Sequence, residues 1–264
     1  MDTITCDHFF GGKIRIFQSK DGYRSSLDAC LLVEFVSNSK PVEFCIELGI
    51  GNGLIGIALS ITGWAKRVAG IEINVLSAEL AKKNVSVNRD CAKIDIICGD
   101  LKNRTLLEEI GRADSVVMNP PFWELGSNQE PKNEARRMGD HEVFGTLEDW
   151  CKSGSKFLKN KKSRFFMIYP AGKLEKCIRA LRDASLSVER MRFVHPVEGK
   201  RAEFVLIEAR KTNNRNIFIE SPLFLKFRNG ESTKDAERIL QGRFNKTIEK
   251  LPDRREEDQK AFLK

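Results

Sequence analysis

"CIELGIGNGLIG", residues 45–56, decides the fold, because it joins an apolar strand to an apolar helix through closely spaced glycines. Gly49, Gly51 and Gly53 permit a tight turn and a close approach of the backbone to a ligand. Gly51, Gly53 and Gly56 also fit the spacing G-x-G-x-x-G of a nucleotide-binding turn. The stretch therefore predicts a ligand-binding loop at the end of a buried strand.

Predicted strands and helices alternate on both sides of this loop. Strands are predicted at 42–48, 67–73, 93–100, 114–119, 162–170, 188–196 and 202–211, and helices at 53–62, 75–88, 101–111 and 173–184. Alternation of this kind predicts a mostly parallel sheet with helices on both faces. The short "VEGKR" link at 197–201 predicts a terminal hairpin, which makes one edge strand antiparallel. We therefore expect an α/β, Rossmann-like fold with a seven-stranded sheet.

The composition excludes several classes of protein. The chain has 264 residues, of which 41% are hydrophobic, enough for one large domain with its own core. No run approaches the roughly 18 apolar residues of a membrane helix, and the N-terminus does not resemble a signal peptide. The seven cysteines are odd in number and none has CxxC spacing. We expect a cytoplasmic protein with reduced thiols, without a membrane segment or a metal.

Charge is divided unevenly along the chain. Residues 151–264 hold 28 Lys and Arg against 15 Asp and Glu, a net charge of +13, whereas residues 1–150 carry a net −5. A cationic half joined to an acidic half favours a polyanionic partner such as nucleic acid.

Carboxylates at successive strand ends indicate which cofactor the loop binds. Glu72, at the end of the second strand, lies 19 residues past Gly53, where a carboxylate binds a ribose diol. NAD and S-adenosylmethionine both fit that spacing. Glu47 precedes the first glycine and suits a cationic cofactor with an amine better than a pyrophosphate. Asp100, after the third strand, can accept a hydrogen bond from an adenine amino group, so the pattern favours S-adenosylmethionine.

"DSVVMNPPFW", residues 114–123, starts as a buried strand and stops at an amide, two prolines and an aromatic pair. Proline forces the chain to leave the sheet stiffly at Asn119. The Asn119 side-chain oxygen and the Pro120 carbonyl can accept hydrogen bonds from a target amine, and the prolines preorganise both. Phe122 can stack on a planar target, while Trp123 either walls the target pocket or only packs. We predict that Asn119, Pro120 and Phe122 are catalytic.

Four segments together resemble a known family. "ELGIGNG", "IEINVLSAELAKKNVSVN", "CGDL" and "MNPPFW" are similar to class I S-adenosylmethionine-dependent methyltransferases with an Asn-Pro-Pro-aromatic motif. Within that class the chain looks most like the bacterial tRNA adenine-N6 methyltransferases that act on a valine tRNA next to the anticodon. This closer resemblance is carried by "DGYRSSLDACLLVEFV", "NEARRM", "RFVHPVEGKRAEFVLIEARK" and "SPLFLKFRNGESTKD". The chain departs from many members in having Phe122 where they have tyrosine.

The resemblance implies further site residues. Asp28 would lie near the methionine end of the cofactor, and "NEARRM" contains Arg136 and Arg137. These two arginines, like Arg24, can clamp phosphates or order a loop, or can simply be solvated. From their position between the last two strands, Lys200 and Arg201 are predicted to touch RNA. His195 is predicted to be structural or to contact substrate rather than to act as a base.

The predicted domains are a strand-like and helical N-terminal extension that covers the cofactor site (1–40), a methyltransferase domain (41–250) and a charged tail (251–264). The predicted function is N6-methylation of an adenine in tRNA. Three alternatives stay open: an rRNA guanine-N2 methyltransferase, a protein glutamine N5-methyltransferase and a non-catalytic RNA-binding protein. The pattern sets neither the oligomeric state nor which tRNA and nucleotide are modified.

Overall fold

The computed structural model describes residues 4–20, 26–91, 93–122, 145–213 and 216–255. Four residues singled out in the sequence lie outside these ranges, and the predictions about them therefore stay predictions. They are Arg24, Trp123, Arg136 and Arg137.

Eleven strands are present in the described chain. They are β1 Ile4–Phe9, β2 Ile14–Ser19, β3 Val42–Leu48, β4 Ala65–Glu72, β5 Lys93–Cys98, β6 Ser115–Met118, β7 Arg164–Pro170, β8 Ser187–His195, β9 Phe204–Arg210, β10 Phe218–Ile219 and β11 Leu223–Phe224. β1 and β2 form a separate antiparallel hairpin, and the other nine strands form one sheet.

Eight α-helices accompany these strands in the described ranges. They are α1 Leu27–Ser37, α2 Leu54–Ile61, α3 Val75–Val87, α4 Arg104–Ile110, α5 Leu147–Phe157, α6 Leu174–Asp183, α7 Lys234–Leu240 and α8 Lys246–Lys250. None of the described helices is both long and apolar enough to cross a membrane.

The sheet has the order β10-β8-β9-β7-β6-β3-β4-β5, with β11 also paired to β8. The Rossmann-like α/β class predicted from the sequence is confirmed. The sheet gains two strands over the seven predicted, because β10 and β11 are two-residue segments too short to give a periodic signal. The antiparallel strand, β9, lies inside the sheet between β7 and β8 and not at its edge.

Residues of the central strands alternate between two apolar clusters, one on each face of the sheet. In β7, Phe166 and Ile168 join the cluster that contains α1 and α2, whereas Phe165 and Met167 join the cluster that contains α5 and α6. Because both faces are covered, the strands are continuous apolar runs rather than alternating ones, as buried parallel strands are.

Helix α5 was absent from the sequence prediction. It begins at a capping box in which the Thr146 hydroxyl accepts a hydrogen bond from Asp149 N and the Asp149 carboxylate accepts one from Thr146 N. Leu147, Trp150, Cys151, Gly154 and Phe157 are all buried on one side of it. Both the T-x-x-D signature and the helical spacing are readable in the sequence.

Helix α1 is held in place by a buried carboxylate. Glu34 is 1% exposed. Its oxygens lie 2.9 Å from Arg238 Nη2 and 3.6 Å from Arg192 Nη1. The Arg190 guanidinium lies 3.9 Å from the Phe35 ring centroid. Losing one partner of a buried ion pair is strongly destabilising, so these contacts fix α1 against β8 and α7.

Candidate functional site

The carboxyl ends of four parallel strands converge on one edge of the sheet. β3 lies between β4 and β6, with Leu48 opposite both Ile71 and Met118. The chain order reverses across β3, and ligands bind in the crevice outside the strand ends at such a point. The glycine loop follows β3 and Asn119 follows β6, so the two predicted motifs are neighbours at this crevice.

The glycine loop needs its glycines for two reasons. Gly49, Gly51 and Gly53 have φ of 64°, 56° and 91°, which other residues rarely adopt. A Cβ on Gly49 would lie 2.4 Å from the Trp150 ring, which covers the loop on one side. A Cβ on Gly51 would meet nothing within 4 Å among the described residues. The loop is thus packed at Gly49 and open at Gly51, where a ligand can approach the backbone.

Glu47 lies beneath this loop and is almost completely buried, with 2% exposed. Among the described residues, its Oε2 atom receives no hydrogen bond. Burial raises the pKa of its carboxyl well above the ordinary value, and a hydrogen bond from the Gly56 backbone opposes that shift. A Cβ on Gly56 would lie 2.8 Å from Oε2, so Gly56 lets α2 approach the carboxylate. A buried carboxylate of this kind is suited to a cationic ligand.

Glu72 bridges two loops at the same edge. Its Oε2 accepts a hydrogen bond from Gly51 N at 2.8 Å, and its Oε1 accepts one from Asn74 N at 2.8 Å. Burial raises the pKa of Glu72, and these backbone hydrogen bonds oppose the shift. Each carboxylate oxygen has two lone pairs, so both can still accept hydroxyl groups. The structure therefore fixes the carboxylate beside the open position at Gly51.

Asp100 follows β5, one strand further out, and is half-buried. Its Oδ1 accepts a hydrogen bond from Lys102 N at 2.8 Å, and its Oδ2 lies 3.7 Å from Lys102 Nζ. The carboxylate therefore caps its own turn, with accepting capacity left for a ligand.

A polar network that the sequence prediction missed supports the glycine loop. Asn52 in the loop donates to Gln18 Oε1, and Asn84 in α3 donates to Asn52 O at 2.8 Å. Asn84 is completely buried and also exchanges two hydrogen bonds with the backbone of Phe17. The β1–β2 hairpin is thus attached to the loop. Asn84 was the available signal, since asparagine is unfavourable in a helix interior.

Asn119 and Asp28 form a direct contact at the strand tip. Asn119 Nδ2 donates to Asp28 Oδ2 at 2.8 Å, and Ser26 donates to the other oxygen. Asp28 is 5% exposed, near the N-terminus of α1. A carboxylate only accepts, so it fixes the amide with nitrogen toward Asp28 and oxygen on the opposite side.

Phe122 is half-buried among other aromatic rings. Its ring centroid lies 5.7 Å from that of Tyr169, edge to face, and 5.9 Å from that of Phe204. Lys173 Nζ donates to the Phe122 carbonyl at 3.0 Å. Pro120, just before, is buried. The tip is therefore held on both sides, which matches the stiffness expected from its prolines.

Lys200 and Arg201 lie on the exposed loop between β8 and β9, outside the pocket itself. β8 is parallel to the central strands, so this loop emerges at the same edge of the sheet as the glycine loop. His195 uses Nδ1 to hydrogen-bond the Lys200 carbonyl at 2.7 Å. The histidine thus fixes the loop, which agrees with a structural role.

The residues at this edge suit a cofactor that is cationic and carries ribose and adenine groups. Glu47 offers a buried carboxylate oxygen, Glu72 offers acceptors beside the open Gly51, and Asp100 follows one strand away. Glu47, buried beneath the glycine loop, suits a cationic cofactor better than the pyrophosphate of NAD. Among the described residues, no group of three or more His, Cys, Asp or Glu is arranged to hold a metal ion.

Comparisons with known proteins identify methyltransferases as the proteins that this chain resembles. Residues 25–137 match the family "methyltransferase small domain". The chain is 33% identical to a tRNA1(Val) (adenine(37)-N6)-methyltransferase of Porphyromonas gingivalis over 50% of this chain and 52% of that protein. It is 32% identical to a putative protein N5-glutamine methyltransferase of Methanocaldococcus jannaschii over 41% of this chain and 51% of that protein. The chain spans about half the length of these curated relatives.

Solved structures match over more of the chain. A predicted O-methyltransferase from Agrobacterium tumefaciens has a TM-score of 0.64 and 22% identity, covering 82% of this chain and 96% of that one. The Methanocaldococcus jannaschii tRNA m1G37 methyltransferase has a TM-score of 0.57 and 16% identity, covering 81% and 58%. At these identities the likeness establishes the fold alone.

Proposed function

We propose that this chain, which belongs to the class I S-adenosylmethionine-dependent methyltransferases, methylates the N6 amine of an unpaired adenine in tRNA. The cofactor of this family is S-adenosylmethionine, in agreement with the preference drawn from the sequence. The adenine, the tRNA and the adjacent anticodon position are the proposal, supported by the Porphyromonas gingivalis relative.

One observation carries the proposal: the Asn119 amide is oriented by Asp28 at the strand end beside the glycine loop. An amine conjugated to a ring is a poor nucleophile because its lone pair is delocalised. Acceptors that hold its two hydrogens bias the nitrogen toward a tetrahedral geometry. We assign these acceptors to the Asn119 side-chain oxygen and the Pro120 carbonyl.

S-adenosylmethionine supplies an electrophilic methyl group when it is bound. Glu72 would hold its ribose, Glu47 would face its cationic part, and Asp100 would accept from its adenine. Asn119 and Pro120 would stabilise the positive charge that develops on the attacking nitrogen as it accepts the methyl group, because preorganised acceptors need no rearrangement. The nitrogen loses its proton after the new bond has formed, so no strong base is required. Phe122, backed by Tyr169, would hold the plane of the base.

Charge and exposure favour RNA as the substrate. Residues 151–264 carry a net +13. Within them, Lys200 and Arg201 are exposed on a fixed loop at the edge where the site opens. Cationic side chains at the mouth of a site position a phosphate backbone without reading its sequence.

Nucleoside mass spectrometry tests the proposal. The purified protein would be incubated with isotope-labelled S-adenosylmethionine and total RNA, tRNA and rRNA together, from cells that lack the gene, with Asn119→Ala as the inactive control. We expect labelled N6-methyladenosine in a valine tRNA. Labelled N2-methylguanosine in rRNA would instead identify a guanine methyltransferase. RNA binding without any transfer would identify a non-catalytic protein.

A protein substrate is the second candidate, because the Methanocaldococcus jannaschii relative is named for glutamine. The same acceptors suit the amide nitrogen of a glutamine. Incubation of the same labelled cofactor with protein extract from the deletion strain separates the two. Faster labelling of a protein glutamine than of tRNA would overturn the RNA proposal.

The two exposed cations between β8 and β9, Lys200 and Arg201, give a further prediction. We expect Lys200→Gln with Arg201→Gln to raise KM for tRNA severalfold and to leave cofactor affinity unchanged. Loss of phosphate contacts should also lower the salt dependence of binding by about 0.7 in slope for each contact. The measurement is methyl transfer at several salt concentrations, and an unchanged KM would exclude the loop from the RNA interface.

A further inference from the structure

A second aromatic side chain at the same edge of the sheet has no role in the site above. Phe227 is 43% exposed at the start of a tight turn, "KFRNGES", residues 226–232. Its backbone N–H donates to Glu231 O at 2.8 Å, and its carbonyl accepts from Gly230 N at 3.0 Å. Gly230 has a φ of 89°, which closes the turn. The turn therefore presents the ring from an ordered backbone.

The turn lies beside the loop that carries Lys200 and Arg201. β11 runs parallel to β8, with Phe224 opposite His195, so the chain after β11 emerges at the edge where the site opens. Glu198 N donates to Lys226 O at 2.8 Å. A Cβ on Gly199 would lie 3.1 Å from the Arg228 guanidinium. The two loops are thus joined into one surface.

The distance to the catalytic tip suits a nucleotide a few positions away. Asn119 follows β6 and Phe227 follows β11, which pairs with the side of β8 that faces away from β9. β6 and β11 are therefore four strand positions apart, and at a strand spacing of about 4.8 Å they are separated by about 19 Å. A base stacked on Phe227 would therefore lie on the same RNA strand as the base at Asn119, outside its pocket and not adjacent to it.

The chemistry of the turn favours an unpaired base. Lys226 and Arg228 flank the ring and are exposed. The two joined loops also contain carboxylates, among them Glu198 and Glu231, so phosphate attraction alone does not distinguish this surface. What distinguishes it is an exposed, ordered aromatic ring between two cations. Single-stranded nucleic acids are bound by stacking bases on such rings.

We propose that Phe227 is a stacking platform for an unpaired nucleotide of the RNA substrate, a few nucleotides from the one that is modified. The inference rests on the proposed function for its RNA substrate. Lys226 and Arg228 contact the phosphates on either side, and the ring contributes the base contact. A preformed turn lowers the ordering cost of binding.

Fluorescence anisotropy with a labelled anticodon stem-loop of a valine tRNA tests the platform. Phe227→Ala should weaken binding roughly five- to a hundredfold, the effect of a lost base stack. It should leave the salt slope unchanged, because no charge is removed. Phe227→Trp should keep the affinity, and its fluorescence should be quenched when RNA is added. Phe218→Ala is the matched control, because Phe218 is 66% exposed on β10, away from this edge.

The outcomes separate this inference from the proposed function. Wild-type affinity in Phe227→Ala would overturn the platform and leave the ring available to a protein partner. An equal loss in Phe218→Ala would overturn it as well, since any exposed ring would then suffice. If Phe227→Ala but not Phe218→Ala weakens RNA binding, and the wild type never methylates that RNA, the stacking platform is supported and the methyltransferase assignment is refuted. A wild-type protein that binds no RNA would refute both.

Discussion

Removing Asp28 tests the arrangement on which the proposed chemistry depends. Asp28 accepts the hydrogen bond that fixes the Asn119 amide, at 2.8 Å in a nearly buried position. A hydrogen bond to a charged group contributes about 1.5–3 kcal/mol. Without it the amide loses the bias that keeps its oxygen toward the target amine. We expect Asp28→Ala to lower the rate of methyl transfer about ten- to a hundredfold.

The dependence on Asn119 distinguishes orientation from other roles. Asn119→Ala removes an acceptor worth about 2.7–4 kcal/mol, a loss of about 10²–10³ in rate. If Asp28 acts through Asn119, the double variant should be within about twofold of Asn119→Ala, because coupled residues are not additive. Asp28→Asn keeps an acceptor for Asn119 Nδ2 and should recover part of the rate. Ser26→Ala leaves the hydrogen bond between Asp28 and Asn119 in place and should change the rate of methyl transfer only slightly.

The assay is single-turnover methyl transfer with saturating cofactor, together with calorimetric affinity for S-adenosylhomocysteine. If Asp28 orients Asn119, Asp28→Ala should lower the rate of methyl transfer and leave the affinity for S-adenosylhomocysteine nearly unchanged. If Asp28 instead binds the methionine end of the cofactor, as the family resemblance implies, Asp28→Ala should weaken that affinity, and saturating cofactor should restore the rate. That second result, or a double variant whose losses multiply, would refute the orientation argument.

Three further outcomes follow from the site. Glu72→Ala should weaken cofactor binding tens-fold or more, since a pair of carboxylate hydrogen bonds contributes about 2–4 kcal/mol; unchanged calorimetric affinity would refute its assignment. Burial raises the pKa of Glu47 in the ligand-free folded protein. The protonated carboxyl therefore contributes to folding stability below the ordinary pKa of 4.5, and this contribution is lost as the pH rises through the raised pKa. A cationic cofactor should stabilise the charged carboxylate and so lower the pKa of Glu47, and calorimetry in buffers of different ionisation enthalpy, at a pH below the raised pKa, should detect proton release that Glu47→Gln abolishes. Gly49→Ala should lower the free energy of unfolding by about 2–5 kcal/mol, through backbone strain plus the clash with Trp150. At the exposed Gly63, which has a φ of 70° and no described residue within 4 Å of an added Cβ, the same change should cost only the strain of about 1–2 kcal/mol, and equal losses in urea titrations would contradict the clash.

The sequence predicted the central strands because each is a short apolar run bounded by glycines, prolines or polar residues. β3, β4 and β6 lie within two residues of the predicted ranges. Buried parallel strands carry this signal locally, since both of their faces need apolar side chains. The alternation of strands with helices then restricted the fold to a parallel α/β sheet.

Elements without a continuous pattern were harder to predict. α1 is buried on nearly every side, so its sequence has no amphipathic period. The position of β9 inside the sheet depends on its pairing with β7 as well as with β8. The short link between β8 and β9 predicts that these two strands pair, but it does not predict that β7 is the other neighbour of β9.

The class of cofactor site can be read from the sequence, because the glycines, Glu47, Glu72 and Asn119 lie at or just after the ends of strands that meet at one edge of the sheet. The partners of these residues come from distant segments of the chain. Asp28 and Asn119 are 91 residues apart, and Trp150 covers Gly49 from a helix far along the chain. A local pattern fixes where a side chain emerges from its own element. Which group it meets is decided by the packing of distant segments, where each buried polar atom must find its partner.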